Sequence, residues 1–228
     1  MDNKIKDKIL KAIEENVVFE GWSDKALKAA MSDSGVKEEL VKKFFPRGVL
    51  DVAIAFHQQG DKKMIGMVKK TNLVDLRLRE KIAFAVKCRL QAIDGQKEII
   101  RRGVSFFALP PNFLEGSKLI WNTSDSIWHL LGDTSDDYNF YTKRASLSGV
   151  YGAVILFWLG DESDNNEETW DFLNRRINNI MQFEKFKASV RSDPLGSKVF
   201  KSTEGFLAKV RRPSTQTNLD LPGILRRP

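Results

Sequence analysis

The apolar residues of this chain recur every three to four positions, which is the spacing of one face of an α-helix. A first helix over about residues 3–18 is predicted by four apolar residues spaced four apart, Ile5, Ile9, Ile13 and Val17. The strict alternation of apolar and polar positions that marks a half-buried strand is nearly absent. The pattern therefore predicts an all-α fold.

Turn-forming residues divide the rest of the chain into further helices. Ser23 fits an N-cap, Ser34-Gly35 a helix end, and Pro46-Arg47-Gly48 a break. The predicted helices then cover about residues 23–34, 36–45, a fourth that begins over 49–59, 72–93, 97–108, 113–131, 138–159, 167–186 and 195–210. These elements suggest three regions: a helix-turn-helix-like part over 1–70, a helical core over 71–192, and a last helix with a tail over 193–228.

Charge separates the end of the chain from its body. Of the 228 residues, 37 are Lys or Arg and 30 are Asp or Glu, which gives a net charge of +7. Residues 184–228 hold 10 basic and 4 acidic residues, whereas residues 1–183 hold 27 and 26. The body is therefore nearly neutral, and the basic character belongs to the C-terminal segment.

The last predicted helix has an apolar face and a basic face. On a helical wheel the apolar side chains lie within about 140° and the lysines lie opposite them. Basic amphipathic helices of this kind bind anionic membrane surfaces, although the helix could instead pack on its own domain. We assign membrane binding to Lys198, Val199, Phe200, Lys201, Phe206, Leu207 and Lys209.

Residues 23–48 have the dimensions of a helix-turn-helix, and the Phe-Pro-Arg-Gly junction at 45–48 resembles that of TetR-type regulators. Residues 1–70 carry 14 basic and 11 acidic residues, so their net charge is only +3. The second short helix offers Lys37, Lys42 and Lys43. It also carries Glu38 and Glu39, and it has no Arg, Asn or Gln for bidentate base contacts. We expect a retained fold that binds no nucleic acid.

Catalytic and metal-binding motifs are not apparent in the sequence, so neither an enzyme nor a cofactor or metal site is predicted. The single cysteine, Cys88, lies in an apolar helix and fits an inert buried thiol. Aromatic residues are concentrated in the later helices, where they either fill a core or line an apolar pocket. The candidate pocket residues are Phe106, Trp121, Tyr151, Phe157 and Trp158.

The run WHLLGDTSDDYNFYTKR at residues 128–144 closely resembles the signature of the Coq-nine family, the ubiquinone-biosynthesis accessory proteins. Phe-Pro-Arg-Gly at 45–48 and TWDFLNRRI at 169–177 resemble the family as well. The resemblance covers about residues 8–185. It implies a TetR-like helical bundle, usually a homodimer, that has lost DNA binding and holds lipid in an apolar pocket.

The resemblance also implies partners. In that family a surface patch docks the di-iron hydroxylase that acts on demethoxyubiquinone. By resemblance, Asp137, Phe140 and Tyr141 match this patch, with Trp128 and Arg144 nearby. The family often has Trp where this chain has Phe140. The ligand would be an isoprenoid quinone or a phospholipid, and the protein would bind an anionic membrane surface through its last helix.

The N-terminal sequence fits neither a signal peptide nor a transit peptide. We therefore expect a cytoplasmic protein on the inner membrane surface, or a matrix-side protein if the source is eukaryotic. The predicted function is presentation of isoprenoid quinone intermediates to the hydroxylase. The alternatives are a TetR-type regulator that senses an apolar ligand and an adaptor that binds only protein.

Overall fold

The computed structural model describes residues 2–192, and these residues form helices and no strand. The all-α prediction is confirmed. The helices are α1 (Asp2–Glu20), α2 (Asp24–Ser34), α3 (Glu38–Phe44), α4 (Val49–Lys70), α5 (Leu78–Gln91), α6 (Lys97–Ala108), α7 (Phe113–Leu130), α8 (Tyr138–Gly160) and α9 (Glu167–Ser192), with a short 3-10 helix at Asp164–Asn166.

Local sequence explains the ends of the second helix. The Ser23 hydroxyl accepts a hydrogen bond from the backbone N–H of Ala26 at 3.2 Å, which satisfies one of the free donors of the first turn. Gly35 follows the helix with a φ of 63°, a left-handed conformation that costs glycine little. The predicted N-cap and helix end are confirmed.

Helix α5 begins later than the apolar pattern predicts. It starts at Leu78 rather than near residue 72. The side chain of Asn72 accepts a hydrogen bond from the N–H of Val74, which folds the preceding segment into a turn. Glu80 then accepts from the N–H of Arg77, as part of a capping box that fixes the start of the helix. Side-chain hydrogen bonds thus override the apolar spacing here.

Two apolar clusters hold the helices together. The N-terminal cluster joins α1, α2, α3 and the first half of α4. The C-terminal cluster joins the second half of α4 with α5, α7, α8 and α9. Helix α4 contributes Val52 and Phe56 to the first cluster and Met64 and Val68 to the second. The boundary predicted near residue 70 therefore lies at the end of α4, a helix that contributes side chains to both clusters.

No helix within residues 2–192 combines the length and the apolar character that crossing a bilayer requires. The longest uncharged stretch, at 145–160, lies in α8, and its side chains Val150, Val154 and Trp158 are buried in the C-terminal cluster. The predicted membrane-binding residues lie outside the described part of the chain: Lys198, Val199, Phe200, Lys201, Phe206, Leu207 and Lys209.

Candidate ligand cavity and its polar end

An apolar cavity of about 270 Å³ lies between helices α4 to α8. Most of its wall is aliphatic or aromatic. Characteristic wall residues are Phe56, Ile99, Phe107, Leu119, Ile120 and Ile155. A concave, mainly apolar space of this size between helices is typical of small-molecule binding sites.

The cavity reaches the surface at one side. Phe113 and Leu156 belong to its wall, yet 58% and 60% of their surfaces are exposed. Leu109 and Leu114, in and just after the connection between α6 and α7, are also largely exposed. We call Leu109, Phe113, Leu114 and Leu156 the apolar rim. An exposed apolar group beside a cavity is typical of a surface that meets lipid or protein.

Small residues create the space. A Cβ atom on Gly116 would lie 2.7 Å from the Cβ of Phe107, so only glycine lets α7 approach α6 this closely. A Cβ atom on Gly152 would meet nothing within 4 Å, because this residue of α8 faces the open cavity. Since protein interiors are close-packed, a cavity forms where side chains are missing.

The aromatic residues predicted for the pocket lie elsewhere. Tyr151 and Trp158 are almost fully buried in the C-terminal cluster. Phe157 stacks on Phe172 with ring centroids 4.5 Å apart. The cavity wall formed by the described residues includes none of the five predicted positions, Phe106, Trp121, Tyr151, Phe157 and Trp158.

The remaining two predicted aromatics pack against their neighbours. The Phe106 ring contacts Phe107 edge-on at 5.3 Å, and it is Phe107 that lines the cavity. The Trp121 ring lies 6.3 Å from that of Tyr141. Aromatic content alone therefore does not separate the packed residues from the cavity wall, which has other aromatic residues, among them Phe56 and Phe107.

A buried polar cluster borders the cavity. Arg89 Nε donates to Asp61 Oδ1 at 2.6 Å, and Arg89 Nη2 donates to the carbonyl oxygen of His57 at 3.2 Å. The Thr123 hydroxyl lies 2.9 Å from Asp61 Oδ1 and 2.9 Å from His57 Nε2. Of these four residues, His57 and Arg89 belong to the cavity wall. We call the four residues His57, Asp61, Arg89 and Thr123 the Arg89 cluster.

Burial sets the protonation of this cluster. Desolvation, followed by the charge of Arg89, lowers the pKa of His57 to about 3, so the imidazole is neutral at pH 7. Burial raises the pKa of Asp61, although Arg89 and Thr123 counteract part of that rise. Burial also raises the pKa of Tyr151, whose ring lies 5.9 Å from the Arg89 guanidinium, to about 12. Arg89 and Asp61 form the ion pair of this cluster, with Nε and Oδ1 2.6 Å apart.

One donor of the cluster is unsatisfied. Arg89 is 1% exposed, and its Nη1 has no hydrogen-bond partner among the described side chains and backbone. A buried donor left in this state costs about 1–3 kcal/mol. Gly60 makes room for the guanidinium, since a Cβ atom there would lie 2.6 Å from Arg89 Nη1.

Sequence reasoning missed the Arg89 cluster. The available signal was a charged residue inside an apolar helix, where Arg89 lies between Cys88 and Leu90. A second signal was the spacing of His57 and Asp61, which places them on one face of α4. Neither signal indicates which helices converge, so the cluster becomes visible only in three dimensions.

Among the described residues, no group of three or more His, Cys, Asp or Glu side chains could hold a metal ion. Burial raises the pKa of the Cys88 thiol, and a protonated buried thiol is a poor nucleophile. Cys88 is 1% exposed and belongs to the C-terminal cluster, as predicted.

The signature segment after α7 forms a second charged cluster. Asp133 accepts hydrogen bonds from Lys143 Nζ at 2.7 Å, Ser135 Oγ at 2.8 Å and Arg144 Nη1 at 2.9 Å. Arg144 Nε also donates to Asp125. Burial raises the pKa of Asp133, but these hydrogen bonds outweigh burial and hold the pKa well below its usual range. We call this the Asp133 cluster.

Most residues predicted to bind the partner are structural in this conformation. Trp128, Phe140 and Arg144 are buried, and the Arg144 guanidinium carbon lies 3.6 Å from the centre of the Phe140 ring. Asp137 is half-buried and caps α8 by accepting from the N–H of Asn139. Tyr141 is also half-buried. The structure brings these residues together at the start of α8.

Residues 113–184, which span α7, α8 and much of α9, match the family model described as COQ9. The chain carries a COQ9 domain. The resemblance of the signature at 128–144 is thereby confirmed. This COQ9 domain contributes Gly116, Thr123 and Gly152 to the cavity and its polar cluster, whereas His57, Asp61 and Arg89 come from helices before it.

Curated proteins extend the similarity to most of the chain. "Ubiquinone biosynthesis protein COQ9, mitochondrial" from Rattus norvegicus is 30% identical over 198 residues, 84% of this chain and 63% of the rat protein. The Homo sapiens protein of the same name is 28% identical over 84% of this chain and 62% of its own length. The chain therefore spans less than two thirds of these relatives.

The fold has a solved counterpart. A TetR transcriptional regulator from Nitrosomonas europaea superposes with a TM-score of 0.62 over 77% of this chain and 97% of its own. The sequences are 17% identical, so the likeness concerns the fold alone. The prediction of a TetR-like helical bundle is confirmed.

Proposed function

We propose that this chain is a lipid-binding accessory protein of ubiquinone biosynthesis. It takes an isoprenoid quinone intermediate, or a phospholipid, into the cavity lined by helices α4 to α8. It then presents the quinone to the demethoxyubiquinone hydroxylase at a membrane surface, as a homodimer. The observation that carries this proposal is the apolar cavity with its exposed rim.

The physical task is transfer out of a bilayer. A polyprenyl quinone is strongly favoured in an apolar environment, and leaving the bilayer exposes its apolar surface to water. A cavity that is apolar inside and opens beside exposed Phe113, Leu114 and Leu156 offers a second apolar environment. The names of the curated relatives place them in ubiquinone biosynthesis, which agrees with such a ligand.

The start of α8 is the proposed face for the hydroxylase. The Asp133 cluster holds the buried residues Trp128, Phe140 and Arg144 in place, and Asp137 and Tyr141 lie half-buried beside them. A rigid scaffold of this kind presents side chains to a partner at little entropic cost. Replacing Tyr141 with Ser should weaken binding of the purified hydroxylase about tenfold, the effect of about 1.4 kcal/mol. Unchanged affinity would exclude Tyr141 from the interface.

Lipid retained by the purified protein tests the cavity. A leucine at position 152 would project into the open space, because a Cβ atom there meets nothing within 4 Å. Gly149 provides the control: it also lies on α8 with open space around it, but it does not belong to the cavity wall. Both replacements remove a helix-interior glycine, which raises helix propensity by about 0.5–1 kcal/mol, so neither should impair folding.

The chain should be purified from a host that makes ubiquinone, and its lipid measured by mass spectrometry. We expect an isoprenoid quinone or phospholipid with the unaltered chain and with Gly149→Leu, and at least tenfold less with Gly152→Leu. Equal lipid in all three proteins would place the ligand outside this cavity. No lipid in any of them would contradict the proposed function.

Membrane association has a separate test. The proposal assigns it to residues 195–210, where the sequence predicts a helix with lysines and apolar side chains on opposite faces. Deleting residues 194–228 should abolish binding to vesicles that contain anionic lipid and leave the thermal unfolding of the remaining chain unchanged. Undiminished vesicle binding after the deletion would contradict the assignment.

A DNA-binding regulator is the alternative function, because the fold resembles that of a TetR regulator. Against it, α3 is only seven residues long and begins with exposed Glu38 and Glu39. Lys42, on the same helix, pairs with Glu38 at 2.9 Å. Acidic groups at the N-terminus of a recognition helix repel phosphates. Salt-sensitive, sequence-specific retardation of DNA upstream of the gene would favour the regulator.

A further inference from the structure

Arg89 combines three properties that rarely occur together. It is 1% exposed, it belongs to the wall of an otherwise apolar cavity, and its Nη1 lacks a hydrogen-bond partner within the described part of the molecule. Its other nitrogens are used, since Nε donates to Asp61 and Nη2 donates to the carbonyl oxygen of His57. The guanidinium is thus held in place with one donor to spare.

The chain is arranged to keep Arg89 in this position. Gly60 leaves the room that Nη1 occupies, because a Cβ atom there would lie 2.6 Å away. The pair with Asp61 fixes the guanidinium from the other side. Buried polar groups are almost always satisfied in proteins, so an unused donor on a residue of the cavity wall points to a partner that enters the cavity, either water or a ligand group.

The local charge selects the class of acceptor. The negative charge of Asp61 lies 2.6 Å from Arg89 Nε and offsets the positive charge of the guanidinium. The neighbouring His57 is neutral at pH 7. A site without net charge, surrounded by apolar side chains, favours a neutral oxygen over a phosphate or carboxylate, whose charge would remain uncompensated after losing water.

We propose that Arg89 is a specificity-determining residue that donates a hydrogen bond from Nη1 to a neutral carbonyl oxygen of the ligand. This inference rests on the proposed function and makes it more specific: the quinone ring lies inward at the Arg89 cluster. The isoprenoid tail then extends toward the exposed rim at Phe113 and Leu156. The buried end of the cavity recognises the head group, and the open end accepts the tail.

A pair of probes separates recognition of oxygen from apolar burial. Decylubiquinone carries two ring carbonyls and a ten-carbon tail, and decylbenzene carries a tail of the same length on a ring without oxygen. Affinities would be measured by displacement of the neutral fluorophore N-phenyl-1-naphthylamine from the full chain. The variant is Arg89→Lys, which keeps the positive charge beside Asp61 but removes Nη1. The control is Arg79→Lys, an exposed arginine on the same helix as Arg89 and outside the cavity wall.

We expect Arg89→Lys to weaken decylubiquinone binding about tenfold and to change decylbenzene binding less than twofold. Arg79→Lys should leave the ratio of the two affinities unchanged. Equal losses of both probes in Arg89→Lys would show that Arg89 only shapes the cavity, and no loss of either would show that water alone satisfies Nη1. Both results overturn the inference. Failure of both probes to bind the unaltered chain would instead contradict the proposed function.

Discussion

Two buried arginines, Arg89 on α5 and Arg144 on α8, use their guanidinium groups in different ways. Arg144, in the Asp133 cluster, donates to Asp125, Asp133 and the carbonyl oxygen of Phe140. Arg89 pairs with one carboxylate and keeps Nη1 unsatisfied beside a cavity. Each residue is 1% exposed, so burial does not distinguish them. The two arginines differ instead in the number of hydrogen-bond acceptors around each guanidinium.

The difference separates structure from binding. A buried arginine with several acceptors, such as Arg144, stabilises the local conformation through the carboxylates and the carbonyl oxygen that it joins. A buried arginine with an unused donor gains the missing hydrogen bond only when water or a ligand enters the site. The Asp133 cluster therefore fixes the connection between α7 and α8, whereas the Arg89 cluster is prepared for a ligand. Three measurements test this contrast between the two arginines.

The largest effect is expected from Asp133. Replacing it with Ala leaves the buried guanidinium of Arg144 without one of its carboxylates and Lys143 without its partner, and it should lower the free energy of unfolding by about 3–5 kcal/mol. Urea denaturation at pH 7 measures the loss. Asp136→Ala is the control, because Asp136 is exposed on the same loop, and it should cost less than about 0.5 kcal/mol.

A small loss for Asp133→Ala would mean that Asp125 alone satisfies Arg144, and the contrast between the two arginines would weaken. The lowered pKa of Asp133 adds a check on pH. Its stabilisation is present above the unfolded-state pKa of about 4 and declines as pH falls below it. The unaltered protein should therefore lose more stability below pH 4 than the Asp133→Asn variant does.

An intermediate effect is expected from His57. Its folded-state pKa is about 3, below the unfolded value of about 6.5, so the unfolded chain takes up a proton between these limits and the folded chain does not. Stability should fall by about 2 kcal/mol between pH 7 and pH 5, and His57 should contribute no pH dependence above about pH 7.

The chain offers a clean control for this measurement, since its only other histidine is the exposed His129. His57→Gln should remove most of the pH dependence between 7 and 5, and His129→Gln should preserve it. Asp61 and Arg89 face His57, and both are unchanged in these variants. If His57→Gln keeps the full pH dependence of stability between pH 7 and pH 5, His57 takes up its proton in the folded state as it does in the unfolded state. The Arg89 cluster would then carry more positive charge than the structure indicates.

The smallest effect is expected from Gly60. Replacement with Ala would push against Arg89 Nη1, and because Asp61 restrains the guanidinium, we expect a cost of about 1–2 kcal/mol. Gly66→Ala, on the same helix with open space around it, should instead stabilise by about 0.5–1 kcal/mol. A stabilising effect at Gly60 would show that Arg89 moves freely, which a prearranged donor does not do.

Helix positions were predictable where local chemistry determines them. The Ser23 cap and the Gly35 helix end were confirmed because neighbouring residues satisfy the free backbone groups. The predicted bounds of α6, Lys97–Ala108, were confirmed as well. The predicted start of α5 near residue 72 was wrong, because the Asn72 turn and the Arg77–Glu80 capping box delay the helix to Leu78. Periodicity reports which face is apolar, and it does not report where a cap overrides it.

The cavity was less predictable. The sequence indicated an apolar pocket among aromatic helices, but its five candidate residues pack against other side chains. Helical spacing shows that Tyr151 and Trp158 share a face, without showing that Gly152 and Leu156 face the open space instead. The signature at 128–144 identified the COQ9 domain through its letters, although several of its residues are buried for structural reasons.

The sequence by itself determined the all-α class, most helix boundaries, the family resemblance and the separation of a neutral body from a basic end. All of these depend on residues close together in the chain. Only the tertiary structure decided where space is left unfilled and which charges meet. His57, Asp61, Arg89 and Thr123 come from three helices, α4, α5 and α7, and an unsatisfied donor exists only once those helices are packed.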